Sequence, residues 1–239
     1  MLVAFALGLS LVASPGMAKK KKDIVVAPPA APALSTIVDA DASHDPDNVL
    51  YLDLSNGGRV AIRLVPAWAP THVERIKTLT KQGFYNGVTF HRVIDGFMAQ
   101  TGDPTGTGQG GSKLPDLKAE FNRVPHMRGT VSMARTNDPN SANSQFFIVF
   151  YPRFALDNRY TNFGRVIGGM GVADAIERGE PPEHPTKILQ ASLGSENKPQ
   201  MMPPPPPLVA APVAVAPPAP VTPPPAVLPV KPVAKKKLR

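Results

Sequence analysis

The chain has 239 residues and no visible internal repeat, enough for one domain of ordinary size with appendages. It contains no cysteine, which excludes a disulfide scaffold, a thiol nucleophile and cysteine-ligated zinc. The net charge of +8 sits mostly at one end: residues 45–194 carry 16 Lys/Arg against 14 Asp/Glu, but residues 195–239 carry 6 against 1. A nearly balanced central part implies no broad basic face, which argues against a nucleic-acid module.

Residues 1–18 open on a short apolar run, followed by Ser14-Pro15-Gly16 and Met17-Ala18. The run is too short to span a bilayer readily but suits the core of a signal peptide cleaved after Ala18. No Lys or Arg precedes it, so an uncleaved segment anchoring the protein to a membrane is the alternative. Cleavage would place the protein in the periplasm or outside the cell. Residues 19–47 begin with four lysines and continue as a Pro/Ala linker.

The folded domain is expected over residues 48–194. Residues 49–54 and 59–65 alternate as strands around Ser55-Asn-Gly-Gly58, a strong hairpin turn. Residues 70–82 read as a helix, with Pro70 in its first turn, Gly83 as its stop, and Val73, Ile76 and Leu79 as its apolar face. Short strands follow at 89–93, 97–100, 130–133, 145–150 and 162–167, a second helix at 170–178, and a last strand at 186–193. Many short strands with two helices predict a mainly β fold, a closed antiparallel barrel with helices over its ends. Residues 102–111 hold too many glycines for a regular element. They lack the Gly-Lys-Ser/Thr ending of a phosphate cradle.

From residue 195 the composition turns to Pro, Ala and Val, with fourteen prolines between Pro203 and Pro232. No packed core can form there, so 195–239 reads as a disordered spacer. Its tip, Lys235-Lys-Lys-Leu-Arg239, offers weak contact with an anionic envelope surface.

One guanidinium, nearby amides and an apolar wall, with no nucleophile or metal ligands, suit the binding of an apolar group beside a polarised amide. Phe90-His-Arg92, Gly96-Phe-Met-Ala-Gln100, Gly102-Asp-Pro-Thr105, Ser132-Met-Ala134, Ser144-Gln-Phe-Phe147 and Phe163-Gly-Arg-Val166 occur in this order. Together they resemble the cyclophilin family of peptidyl-prolyl cis-trans isomerases, over about residues 48–194. The resemblance implies an eight-stranded antiparallel barrel capped by two helices, and isomerisation of X–Pro bonds without cofactor or metal. It implies Arg92, Phe97 and Gln100 as catalytic residues. His91, Met98, Ala134, Arg135, Thr136, Gln145, Phe147, Leu156 and Tyr160 would bind substrate, with Met98, Phe147 and Leu156 completing a proline pocket around Phe97. The partners implied are proline-containing segments of folding proteins, met by a monomer. A non-catalytic chaperone or scaffold gripping such segments is the alternative.

The chain departs from the family pattern at several positions. Arg135 stands where asparagine is common, leaving the main chain there to make the contact. Ala155 stands where many relatives carry Trp, which opens the rim unless Phe154 compensates. Tyr160 replaces a frequent His but keeps an aromatic body with a polar tip. His72 and His126 are expected at the surface.

Overall fold

The computed structural model describes residues 34–204. The signal segment, most of the linker, and the tail beyond Pro204 with its basic tip lie outside the described residues.

Apolar alternation and the Asn-Gly-Gly turn make a hairpin of β1 (Val49–Leu54) and β2 (Arg59–Leu64), with Leu54 N–H donating to Gly58 O at 2.8 Å. Its register sets Asp53 opposite Arg59, and their side chains meet at 2.6 and 3.0 Å. Helix α1 (Pro70–Lys81) follows, buried through Val73, Ile76 and Leu79. No side chain of its own caps it. Glu120 instead accepts the N–H groups of Thr71 and His72 at 3.1–3.2 Å, supplying negative charge where the helix end is positive.

The remaining elements are β3 (Arg92–Ile94), β4 (Met98–Thr101), β5 (Thr130–Met133), β6 (Phe146–Val149), β7 (Asn162–Gly168), α2 (Met170–Asp174) and β8 (Ile188–Leu193). All strand pairs are antiparallel, in the order β3-β4-β6-β5-β7-β2-β1-β8. The inner face of this sheet carries the main core, including Leu52, Ile62, Ala99, Phe146, Ile148 and Phe163, with α1 packed against it.

The expected closed barrel is not formed. The sheet is an open, curled half-barrel whose edges are β3 and β8. Between them, Gly87 N–H reaches Ile188 O at 2.7 Å and Phe90 N–H reaches Thr186 O at 2.9 Å, while the main chain of β3 meets the far side at a Val93–Gly179 bridge. Pro181, Pro182 and Pro185 have no N–H to donate, so residues 179–186 cannot complete the ladder. The same interruption explains why β3 starts at 92 and β8 at 188, later than the sequence predicts. Helix α2 stops short of residue 178 because the Arg178 guanidinium takes the carbonyls of Asp174 and Ile176.

Residues 35–45 are held against the sheet. Arg63 donates to the carbonyls of Asp39, Asp41 and Asp45, and Trp68 Nε1–H donates to Ser35 O at 2.9 Å.

Candidate active site

Gly96, at φ +62°, turns β3 back onto β4 and sets Arg92 opposite Gln100. Gln100 then faces Phe147 on β6, Phe147 faces Ser132 on β5, and Ser132 faces Asn162 on β7. One lateral row thus crosses the sheet. Its neighbours Val93, Ala99, Ile148 and Val131 belong to the main core, so alternation turns the row itself to the opposite face. There a second, smaller apolar cluster forms from Met98, Phe147 and Val149, with Phe97, Ala134, Leu156 and Tyr160 packed on it.

This cluster encloses a cavity of about 240 Å³, with Phe97, Met98, Phe147, Leu156 and Tyr160 as apolar walls and Arg92 and Gln100 on its polar side. That is smaller than the roughly 300–1,000 Å³ of drug-sized sites and suits a single ring. The Phe147 ring meets Tyr160 edge-on at 5.7 Å and is stacked with the His126 ring at 6.5 Å. Arg135 lies over Tyr160 at 4.6 Å, and Arg153 over Phe97 at 5.1 Å.

A larger polar groove of about 650 Å³ adjoins it. Gln100, Ala134, Arg135 and Tyr160 line both spaces, while Thr136 and Gln145 line only the groove. The Arg135 guanidinium is engaged by the carbonyls of Arg159 and Thr136. Its main-chain N–H and C=O have no partner among the described residues and stay open to an extended ligand.

Arg92 Nε–H donates to Glu180 Oε2 at 2.7 Å, with the two side chains 41 and 51% exposed. No protein acceptor for its terminal nitrogens is found among the described residues. Gln100 Nε2 donates to Gln145 Oε1 at 2.8 Å, and Gln145 Nε2 donates to the carbonyls of Gly108 and Gly110 at 3.0 and 2.8 Å. The Gln145 amide protons are therefore both spent, and of the pair only Gln100 retains donor capacity for a ligand.

Those carbonyls are held by Asp103, a residue the sequence reading passed over. Its fully buried carboxylate accepts N–H bonds from Thr105, Thr107, Gly108 and Gly110. Burial pushes its pKa up, but these bonds and the Thr105 hydroxyl outweigh burial and lower it to about 2. The signal was present in Gly-Asp-Pro-Thr, where a short acidic side chain among glycines can fold a loop around itself.

Three expectations need correction. His91 does not line the groove: adjacent side chains on an extended chain face opposite ways, so Arg92 outside puts His91 inside. It is buried beneath Gly108, its ring nitrogens without partners, and burial lowers its pKa. His72 and His126 are buried as well, each against a carboxylate, Glu120 at 2.7 Å and Asp157 at 2.8 Å. Nor does Phe154 compensate for Ala155: it is 62% exposed and lines neither space.

His126 Nε2 also lies 3.0 Å from Ser132 Oγ, giving a Ser-His-Asp chain. It is sealed behind Phe147, and Ser132 Oγ is tied to Asn162 Oδ1. No substrate reaches that hydroxyl, so the chain braces the pocket wall and does no nucleophilic chemistry.

Residues 49–193 match the family described as cyclophilin type peptidyl-prolyl cis-trans isomerase/CLD. A protein of Brucella suis biovar 1 named a probable peptidyl-prolyl cis-trans isomerase is 46% identical over 177 residues, 67% of this chain and 90% of its own. The crystal structure of a cyclophilin from Hirschia baltica is similar with a TM-score of 0.60 at 33% identity, covering 64% of this chain and 76% of that one. A Cryptosporidium parvum cyclophilin-type isomerase, crystallised in the presence of the dipeptide Ala-Pro, gives a TM-score of 0.57 at 28% identity, over 61% and 98% of the two chains.

Proposed function

The chain belongs to the cyclophilin-type peptidyl-prolyl cis-trans isomerase family, and from that premise we propose that it speeds X–Pro isomerisation in folding proteins by aiming Arg92 at the prolyl amide. Rotation about a peptide bond costs about 18–20 kcal/mol because amide resonance must be broken. The two X–Pro isomers differ by only about 0.5–1 kcal/mol, so the obstacle is kinetic. In the twisted state the nitrogen becomes pyramidal and gains a lone pair. A fixed cation beside it favours that state over the planar one, with no covalent step.

The observation that carries this reading is a guanidinium with open terminal nitrogens at the edge of a one-ring apolar cavity. The proline ring would occupy the space between Phe97, Met98, Phe147 and Leu156. Gln100 and the Arg135 main chain would hold the backbone on one side while the other side turns.

A protease-coupled isomerisation assay on a short X–Pro peptide tests it. Arg92→Ala should lower kcat/KM by about 10²–10³, the usual effect of removing one charge-stabilising donor. Arg92→Lys should recover little of it, since a point charge lacks the planar fork. Thermal unfolding should be unchanged in both variants. An Arg92→Ala protein as active as wild type would favour the non-catalytic proline-segment binder instead.

A further inference from the structure

We propose that Glu180 is a positioning residue that holds the Arg92 guanidinium toward the pocket; this rests on the reading of Arg92 given above. An arginine side chain carries about 2 kcal/mol of rotamer freedom, and one 41% exposed has little packing to restrict it. Arg92 does not lean on the rest of its row for support. Its cross-strand neighbour Gln100 turns its amide to Gln145 and makes no bond to the guanidinium, and the one carboxylate bound to Arg92 among the described residues is Glu180, through Nε. A carboxylate on the Nε edge leaves the outward N–H groups of the terminal nitrogens free.

The turn that carries Glu180 is tied down on both sides. Val93 and Gly179 exchange backbone hydrogen bonds at 2.8 and 2.9 Å, which fixes the residue before Glu180 to the residue after Arg92. Gly179 then bridges Pro182 across the turn, and His184 N–H donates to Glu177 Oε1 at 2.9 Å. Only glycine permits this fold-back: at φ +149° an added Cβ would sit 2.4 Å from Pro182 Cα. The carboxylate therefore rests on a segment anchored to the strand that bears the arginine.

The test is a steady-state comparison in the full chain of wild type, Glu180→Ala, Glu180→Gln, Arg92→Ala and the Arg92→Ala/Glu180→Ala double variant. An exposed ion pair sets the scale, so Glu180→Ala should lower kcat by about fivefold with KM within about twofold. Glu180→Gln keeps an oxygen for Nε–H and should return at least about half of the lost rate. Adding Glu180→Ala to Arg92→Ala should cost nothing further, because the two act as one unit. The inference is overturned by wild-type or higher kcat in Glu180→Ala, by a loss confined to KM, by a Gln variant as slow as Ala, or by additive losses. Wild-type activity in Arg92→Ala would instead overturn the reading beneath it. Low activity in Arg92→Ala beside normal activity in Glu180→Ala would sink this inference alone.

Discussion

Asp103 carries a negative charge with no accessible surface, and it keeps that charge because the loop spends its N–H groups on it. Replacing it with Asn would turn an amide NH₂ toward donors already facing that site, leaving some without an acceptor. With the pKa lowered from 3.8 to about 2, the charged form should contribute on the order of 2 kcal/mol of stability at neutral pH. A group depressed on folding gives its stability above the unfolded value and loses it as pH falls. The gap between wild type and Asp103→Asn in denaturant unfolding should thus be widest above pH 4 and nearly closed by pH 2. A gap that stays constant across this range would show that the charge is not the cause. Residues such as this are hard to read in a sequence. Arg92 could be singled out as a lone cation among apolar neighbours, whereas Gly-Asp-Pro-Thr looks like any turn until its partners at 107, 108 and 110 are in place.

At the level of the strand, β6 shows what pattern cannot decide. Phe146-Phe-Ile-Val149 has no polar alternation, so its composition predicts a strand but not which side faces the core. Pairing with β4 and β5 settles it: Phe146 and Ile148 join the main core, and Phe147 and Val149 join the cluster around the pocket. Adjacent phenylalanines should therefore fail differently. Phe146→Ala opens a hole between Tyr85 and Phe163 and should cost about 3–5 kcal/mol, a large share of a small domain's stability. Phe147→Ala should unfold at a temperature nearer wild type yet lose about tenfold or more in kcat/KM, because a wall of the proposed proline pocket is gone. Melting curves and the peptide assay on the two variants check this, and the reverse order would mean the faces are misassigned. Elements bounded by local chemistry were the most legible. The first hairpin and α1 lie within a residue of their expected limits because Asn-Gly-Gly and Pro70 punctuate them. The ends of β3, α2 and β8 were not legible, since they are set by how Pro181, Pro182 and Pro185 interrupt the pairing of β3 with β8 and by the Arg178 guanidinium.

Over the whole molecule, sequence conveyed the family and the class of fold but neither the opening between β3 and β8 nor the interior histidines. Both depend on groups far apart in the chain: His72 meets Glu120, and His126 meets Asp157. These buried rings give the protein a shared response to acid. Burial lowers the pKa of His72, His91 and His126; Glu120, Asp103 and Asp157 respectively pull the other way without reversing it, and Arg75 and Arg92 add to the lowering at His72 and His91. The folded protein accordingly resists taking up protons that the unfolded chain binds near pH 6.5. Below that value the unfolded state holds more protons, so stability must fall as pH falls. Each ring can contribute up to about 1.4 kcal/mol per pH unit until it titrates in the folded state. The melting temperature should be level from about pH 9 to 7 and drop between about pH 6.5 and 5, before most carboxylates titrate. His126→Asn should soften that slope, even though losing its bonds lowers the plateau. A wild-type melting temperature unchanged from pH 7 to 5 would mean that these histidines take up protons as readily folded as unfolded, despite their burial.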